Sequence, residues 1–290
     1  MNNLKCNICQ SLNIDNFLIK DNWEIVRCNN CKIVFVKDFP SDRVLEDLYG
    51  EDFFKDGQKS PTDGIKLHNN PTYINAKKRI ERIKKYDQGN GRLLDIGCAT
   101  GLFLKAANAS FKYSVGIDIS KYATGFAVKE LNVNAKYGTI SDLNFSQQYF
   151  DVITMWDVIE HVKDPNKYID KISNIIRTGG LLVLSTGNIE SLMFKIQKKK
   201  WHLLIPPKHL FYFSPKTISM LLKKHGFKVS NIAYEGQYTN IGYMVDKLQS
   251  LHVKNKAINF MSTIIKKFKL NQYNVYLNLY DVMTVYAIKL

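Results

Sequence analysis

The stretch Leu93-Leu94-Asp95-Ile96-Gly97-Cys98-Ala99-Thr100-Gly101 constrains the fold more than any other part of the chain. Its apolar start reads as a buried strand over 92–95, followed by a glycine turn and a helix beginning near Leu102. Gly97 and Gly101 lack Cβ atoms, so the turn can be tight and a ligand can approach the backbone closely. Asp95 falls at the carboxyl end of the strand, where open α/β sheets bind their ligands. A second apolar strand, 113–117, leads to Asp118. An acid at that distance can accept hydrogen bonds from both hydroxyls of a ribose. The dinucleotide fingerprint requires G-x-G-x-x-G, whereas this chain has Gly97-x-x-x-Gly101, which disfavours a nicotinamide cofactor.

Strand and helix signals alternate over 91–186, with strands at 92–95, 113–117, 134–137, 151–155 and 181–185. That alternation predicts an α/β fold, a mostly parallel sheet with helices on both faces. Ser214 and Pro215 form an N-cap and first position for a helix that runs to His225 and stops at Gly226. A sixth strand is expected over 228–234. A last strand, read as the antiparallel edge of the sheet, lies within 275–288.

The D-x-G-x-x-x-G segment with an acid closing the next strand resembles motif I of class I S-adenosylmethionine-dependent methyltransferases. Phe150-Asp151-Val152-Ile153-Thr154-Met155-Trp156-Asp157-Val158-Ile159-Glu160-His161-Val162 resembles the fourth motif of those that modify ubiquinone precursors and polysaccharide intermediates. Thr178-Gly179-Gly180-Leu181-Leu182 and His209-Leu210-Phe211-Tyr212-Phe213-Ser214 extend the likeness. The resemblance implies a Rossmann-like sheet and S-adenosylmethionine as cofactor. Asp95, Gly97, Cys98 and Gly101 would face its methionine portion, Asp118 and Ile119 its ribose, Asp142 its adenine, and Trp156 its methyl end.

Asp157, Glu160 and His161 are spaced three and four apart, which places them on one face of a helix start. Two carboxylates and an imidazole can hold a divalent cation, or His161 can serve as a general base. Some relatives complete such a set with a later histidine, and His209 is the nearest candidate. Equally, the group reads as a helix-terminal acid pair beside a packed histidine. Glu160, His161 and His209 are the candidate catalytic residues.

Cys6-x-x-Cys9 and Cys28-x-x-Cys31 are separated by eighteen residues, the spacing of a four-cysteine zinc site. Short strands around them complete a zinc ribbon over 1–39, with a closed and therefore structural metal shell. Residues 40–88 connect this unit to the core. They include a helix from Ser41 towards Gly50, a loop over 56–71, and a basic amphipathic helix over 72–86 that either covers the cofactor as a lid or packs. The methyltransferase core is expected over 89–235 plus 275–290, and 236–274 reads as a helical insertion. Its lysines, among them Lys254, Lys256, Lys266 and Lys267, accompany Ile258, Met261, Ile265 and Phe268. That pattern suits either an anionic membrane surface or a solvated face over a packed stripe.

The chain has 41 basic and 26 acidic residues, a formal charge of +15. An anionic partner follows: nucleic acid, a nucleotide-linked substrate or a lipid surface. Only 6 of the 41 are arginine, the residue favoured for base-edge and phosphate recognition, so specific nucleic-acid binding is disfavoured. The polar N-terminus lacks signal-peptide character, and no apolar run approaches the ~20 residues of a membrane span. A soluble cytoplasmic protein is expected. The first expectation is a small-molecule methyltransferase acting on a sugar or secondary-metabolite intermediate, with O- ahead of C-methylation. RNA methylation and a non-catalytic zinc scaffold are the alternatives.

Overall fold

A computed structural model describes residues 4–41, 44, 67–87, 89–142, 144–245, 256–268, 270 and 273–290. Most of the expected helix after Ser41 and most of the loop at 56–71 lie outside them.

The chain begins with β1 (Ile14–Lys20) and β2 (Trp23–Cys28), an antiparallel hairpin. Asp21 and Asn22 turn it, both with positive φ (50° and 65°), as two-residue hairpin loops require. β3 (Val34–Val36) adds to β2. Next comes α1 (Pro71–Ile83), whose N-cap Asn70 accepts from the Tyr73 amide and whose first position is proline.

The core alternates as its sequence demands. β4 (Arg92–Ile96), α2 (Leu102–Ala107), β5 (Tyr113–Asp118), α3 (Lys121–Leu131), β6 (Ala135–Tyr137), β7 (Phe150–Trp156), α4 (Pro165–Ile175) and β8 (Ile176–Gly187) follow one another. Then come α5 (Leu192–Gln197), the two-residue β9 (Phe211–Tyr212), α6 (Pro215–Lys224) with a Ser214–Thr217 capping box, and β10 (Phe227–Ala233). β11 (Gln237–Asn240), α7 (Lys256–Lys267), β12 (Asn274–Leu277) and β13 (Val282–Lys289) end the chain.

Seven strands form one sheet in the order β10-β13-β8-β7-β4-β5-β6. β13 runs antiparallel to both neighbours and the rest are parallel, as expected, but β13 is not the edge strand: it lies between β8 and β10, and β10 takes the edge because its own hydrogen bonds add to β13. The order reverses between β4 and β7, so their carboxyl ends open a crevice. Successive residues on the central strands point to opposite faces. Leu94, Ile153, Leu182 and Leu184 pack with Ile169, Ile172, Leu221 and Leu222 on one side. Leu93, Val152, Leu181 and Val183 pack with Leu102, Phe103, Ile80 and Ile83 on the other. Burial of both faces explains why these strands read as unbroken apolar runs.

The ribbon is stitched to this core. Val34 and Phe35 of β3 pair with Tyr212 and Phe211 of β9, and Cys6, Ile8, Cys28 and Ile33 share a core cluster with Ile159 and Leu221. The expected helical insertion is only partly helical. Gln237–Asn240 and Asn274–Leu277 form an antiparallel ladder, and the alternating Tyr238, Tyr276 and Leu277 make a better strand than a helix stripe. Residues 246–255, and the side chains of Ile258, Met261 and Lys266 in the expected basic stripe, lie outside the described residues. Among the described residues, no helix is long and apolar enough to cross a membrane.

Phe211 stacks on Phe35 of the ribbon (centroids 5.9 Å apart) and on Phe213 of the core side (6.0 Å), with 1% exposure. Phe211→Ala is therefore expected to lower stability to urea by about 3–5 kcal/mol. Leu12→Ala, at a side chain 56% exposed, should change it by about 0.5 kcal/mol or less.

Candidate functional site

The crevice beyond β4 and β5 is laced by backbone. Gly97 and Cys98 both donate to the Ile117 carbonyl (2.8 and 3.0 Å). The Ala99 amide donates to Asp118 Oδ2 and the Ser120 amide to Asp118 Oδ1, each at 2.8 Å. Gly97 has φ +74° and Gly101 φ +81°, values a side chain resists. A Cβ at Gly101 would also lie 2.8 Å from Ala127 Cβ, and one at Gly97 would strike Val158. The glycines thus serve turn geometry and helix packing. Cys98 turns its side chain into the core, against the space left by Gly116, because a thiol there fills what a Cβ at Gly116 would occupy. Burial holds its thiol well above the ordinary range, so only its backbone borders the turn.

Asp95 is buried and accepts a 2.7 Å hydrogen bond from the Thr154 hydroxyl on β7. Burial raises its pKa to about 7, despite opposing help from Thr154 and Arg79; Asp118 pushes the same way as burial. Asp142 is exposed and gives its carboxylate to the Thr139 amide and hydroxyl, both at 2.7 Å, which lowers its pKa. That turn adjoins the crevice through the Gly138 amide, which donates to the Asp118 carbonyl (2.9 Å). Ile119 is half-exposed beside Asp118.

Trp156 ends β7 with its indole Nε1 buried and without a hydrogen-bond partner. Its ring packs against Phe103 (5.3 Å) and under the Arg79 guanidinium, 4.1 Å from the centroid. Arg79 comes from α1. Desolvation lowers its pKa, while Asp157, Asp95 and Glu235 oppose that shift, so a cation enters the crevice among several carboxylates. Sequence reading missed it. The signal was an arginine beside two lysines in a chain where arginine is rare.

After Trp156 the chain does not start a helix. Asp157 adopts φ +56°, 159–161 form one 3-10 turn, and α4 waits for Pro165. Asp157 is drawn to β8: its amide donates to Ser185 Oγ (3.0 Å), and that hydroxyl donates back to Asp157 Oδ1 (2.7 Å). The expected group of Asp157, Glu160 and His161 is thereby replaced. Glu160, His161 and His209 bring one donor atom each within 4.8 Å of the others. The two imidazoles meet edge to face, 4.8 Å between centroids. His161 Nδ1 donates to the Lys208 carbonyl (2.7 Å) and His209 Nδ1 to the Leu203 carbonyl (2.8 Å). Carbonyls only accept, so the proton sits on Nδ1 and Nε2 is the basic nitrogen of each ring. Glu160 Oε2 is buried and lacks a hydrogen-bond partner. Burial, then Asp157, pushes Glu160 up to about 8; burial, then His161, pulls His209 down to about 3. An orphaned carboxyl oxygen beside two imidazoles suits a proton relay or a divalent cation.

The four ribbon cysteines also converge. Cys6 and Cys31 sulfurs lie 3.5 Å apart, as do Cys9 and Cys28. A tetrahedral ion with Zn–S near 2.3 Å needs sulfurs about 3.8 Å apart, so the cluster fits zinc. The two knuckles repeat one geometry. Cys6 and Cys28 accept from the amides of Gln10 and Lys32, and their own amides donate to Ser11 and Ile33. Gln10 and Lys32 both carry positive φ (63° and 71°). The Cys6–Cys31 hydrogen bond lowers the Cys6 thiol and raises that of Cys31, so the pair shares one proton.

Residues 68–232, more than half of the chain, match the family described as "Methyltransferase domain". An uncharacterized protein of Methanocaldococcus jannaschii is 29% identical over 152 residues, 52% of this chain and 71% of that protein. A ubiquinone biosynthesis O-methyltransferase of Aromatoleum aromaticum is 25% identical over 183 residues, 55% of this chain and 78% of that enzyme. Among solved structures, magnesium protoporphyrin IX methyltransferase from Synechocystis, with bound SAH, superposes with TM-score 0.55 at 14% identity, covering 86% of this chain and 100% of that one. A SAM-dependent methyltransferase from Archaeoglobus fulgidus gives 0.51 at 23% identity, covering 75% and 94%. At such identities the two structures speak for the fold.

Metal analysis is expected to find about one zinc per chain, lost in Cys28→Ser; zinc retained in that variant would refute the four-cysteine site. Asp95 predicts a pH signature. Its folded pKa of about 7 lies above the unfolded value, so ionising it opposes folding as pH rises from about 4 to 7. Asp95→Asn keeps an acceptor for Thr154. It should match the parent protein near pH 4 and exceed it in stability by a margin that grows to about pH 7, measured by urea unfolding across that range.

Proposed function

The chain belongs to the methyltransferase-domain family, and from that membership we propose that it transfers the methyl group of S-adenosylmethionine to a hydroxyl of a small molecule, a sugar or a related intermediate. The observation that carries this reading is the meeting of Glu160, His161 and His209, with both imidazoles fixed as Nδ1–H tautomers. A relative named as an O-methyltransferase supports a hydroxyl acceptor. The sugar class is favoured by the layout of a four-cysteine ribbon ahead of the methyltransferase core, which resembles that of zinc-ribbon sugar C-methyltransferases; the tyrosine-rich catalytic segments of those enzymes are not matched by this sequence, which leaves O-methylation ahead.

S-adenosylmethionine, when bound, supplies a methyl group already activated by the positive sulfonium. The chain's residues fit its parts. Asp118 is pre-oriented by two backbone amides to take ribose hydroxyls. Asp95 and Arg79 offer opposite charges for the amino-acid end, and the buried Trp156 Nε1–H offers a donor. Ile119 and the Thr139–Asp142 turn flank the place for adenine. His161 Nε2 takes the proton of the acceptor hydroxyl, His209 packs edge to face against its ring, and Glu160 stabilises the imidazolium that results. A divalent cation on the same three donors would lower the hydroxyl's pKa to the same end. Desolvation by the surrounding apolar core keeps water from competing.

A methyl-transfer screen across nucleotide sugars, phenols and bulk RNA tests the reading. O-methylation of a small-molecule hydroxyl is expected, and turnover on RNA alone or a C-methyl product would overturn it. With the acceptor in hand, His161→Asn should lower kcat by about 10²–10⁴-fold. Its S-adenosylmethionine Kd should stay unchanged, whereas Asp118→Ala should weaken that Kd by about tenfold or more by calorimetry.

A further inference from the structure

We propose that the cysteine ribbon is a positioning device for the Glu160–His161–His209 cluster, and that its zinc closes a ring of contacts that holds the two loops bearing those residues together.

The ring can be followed bond by bond. The first knuckle holds the loop after His161. Asn7, between Cys6 and Cys9, donates from Nδ2 to the Lys163 carbonyl (3.1 Å), and the Asn7 carbonyl accepts from Asn166 Nδ2. The neighbouring Ile8 carbonyl accepts from Lys224 Nζ (3.3 Å), which also donates to Asn166 Oδ1 (2.8 Å). The second knuckle leads into β3, whose Val36 amide donates to the Leu210 carbonyl (2.9 Å), next to His209. Val34 and Phe35 continue the pairing with Tyr212 and Phe211. The two loops are themselves joined: the Leu210 amide donates to the Glu160 carbonyl (2.8 Å), and His161 Nδ1 to the Lys208 carbonyl (2.7 Å). The knuckles themselves touch lightly, Asn30 Nδ2 donating to Cys9 Sγ (3.5 Å). Cys6 meets Cys31 and Cys9 meets Cys28 across 3.5 Å, and an ion bound by all four would make that link firm.

The geometry separates two halves of the site. Glycine-turn contacts to Ile117 and Asp118 hold the nucleoside half through β4 and β5. The acceptor half depends on loops 160–166 and 208–212, which meet the ribbon. Zinc loss should therefore disable the second half and spare the first. That the cluster serves methyl transfer rests on the function proposed above; the ring does not.

The test compares the zinc-loaded protein, the same protein stripped by chelator and reloaded, and an Asn7→Ala variant that retains all four cysteines. Three quantities are read: the slowly exchanging Nδ1–H proton signals of His161 and His209 by NMR, the Kd for S-adenosylmethionine, and kcat on the acceptor found by the screen. Stripping should erase both imidazole signals and lower kcat by about 10²-fold, the scale of an ångström-sized misplacement, with Kd changed by about threefold or less. Reloading should restore the signals and kcat. Asn7→Ala, still zinc-bound, should broaden the His161 signal and lower kcat by about 3–10-fold with Kd unmoved. Imidazole signals that persist without zinc, or a Kd that collapses together with kcat, would overturn the proposal. If His161→Asn turns over normally while stripping still erases the signals, the ring stands and the chemical role of the cluster fails.

Discussion

Everything in the crevice depends on one join, the turn after β4 bonded to the end of β5. The Ile117 carbonyl receives two amides from that turn and Asp118 a third, so the glycine loop and the acid at the end of β5 form one rigid edge. Each partner orients the other. The left-handed glycines bring the amides round, and the amides fix the carboxylate's direction. A ligand entering here meets an acid that has already lost its rotational freedom, which reduces the ordering cost of binding.

Around that edge the local charge opposes the charge of the whole. The chain carries +15, yet Asp95, Asp118, Asp157, Glu160 and Glu235 gather near the crevice, with Arg79 among them and Arg82 paired to Glu235 at 2.7 Å. The surplus lysines are a property of the surface. A cationic sulfonium nucleoside with an ammonium group suits such an interior, because carboxylates desolvated by burial gain most from an incoming positive charge. Asp95 raised to about 7 and Glu160 to about 8 record that unmet demand.

What the sequence disclosed follows from how local each cause is. The cysteine knuckles are legible because ligand identity and spacing lie within four residues. The sheet is legible because strands buried on both faces cannot hide among polar residues. Asp157 was not, since its direction depends on Ser185, twenty-eight residues away. His209 could be named as a candidate, but its meeting with His161 arises through β9 and the ribbon strand, joined across 176 residues or more. Arg79 and the β11–β12 ladder escaped for the same reason. Gln237–Asn240 and Asn274–Leu277 are four residues each, too short to show a period that separates strand from helix, and only the packing partner decides.

That ladder has a consequence for the cofactor half. Asn75 on α1 donates from Nδ2 to the Tyr238 carbonyl (2.9 Å) and accepts from the Tyr238 amide (2.8 Å), so a side-chain amide replaces a neighbouring strand. One turn later Lys78 lies over the Tyr238 and Tyr276 rings (4.5 and 5.3 Å), and Arg82 pairs with Glu235. Arg79 sits within this run on α1, yet reaches Trp156. The helix is therefore gripped along one side by Glu235, Tyr238 and Tyr276 while it delivers its guanidinium to the crevice. The segment after β10 is then no ornament on the core. It fixes the axial position of α1, and through it the distance between the buried cation and the acids of β4 and β7.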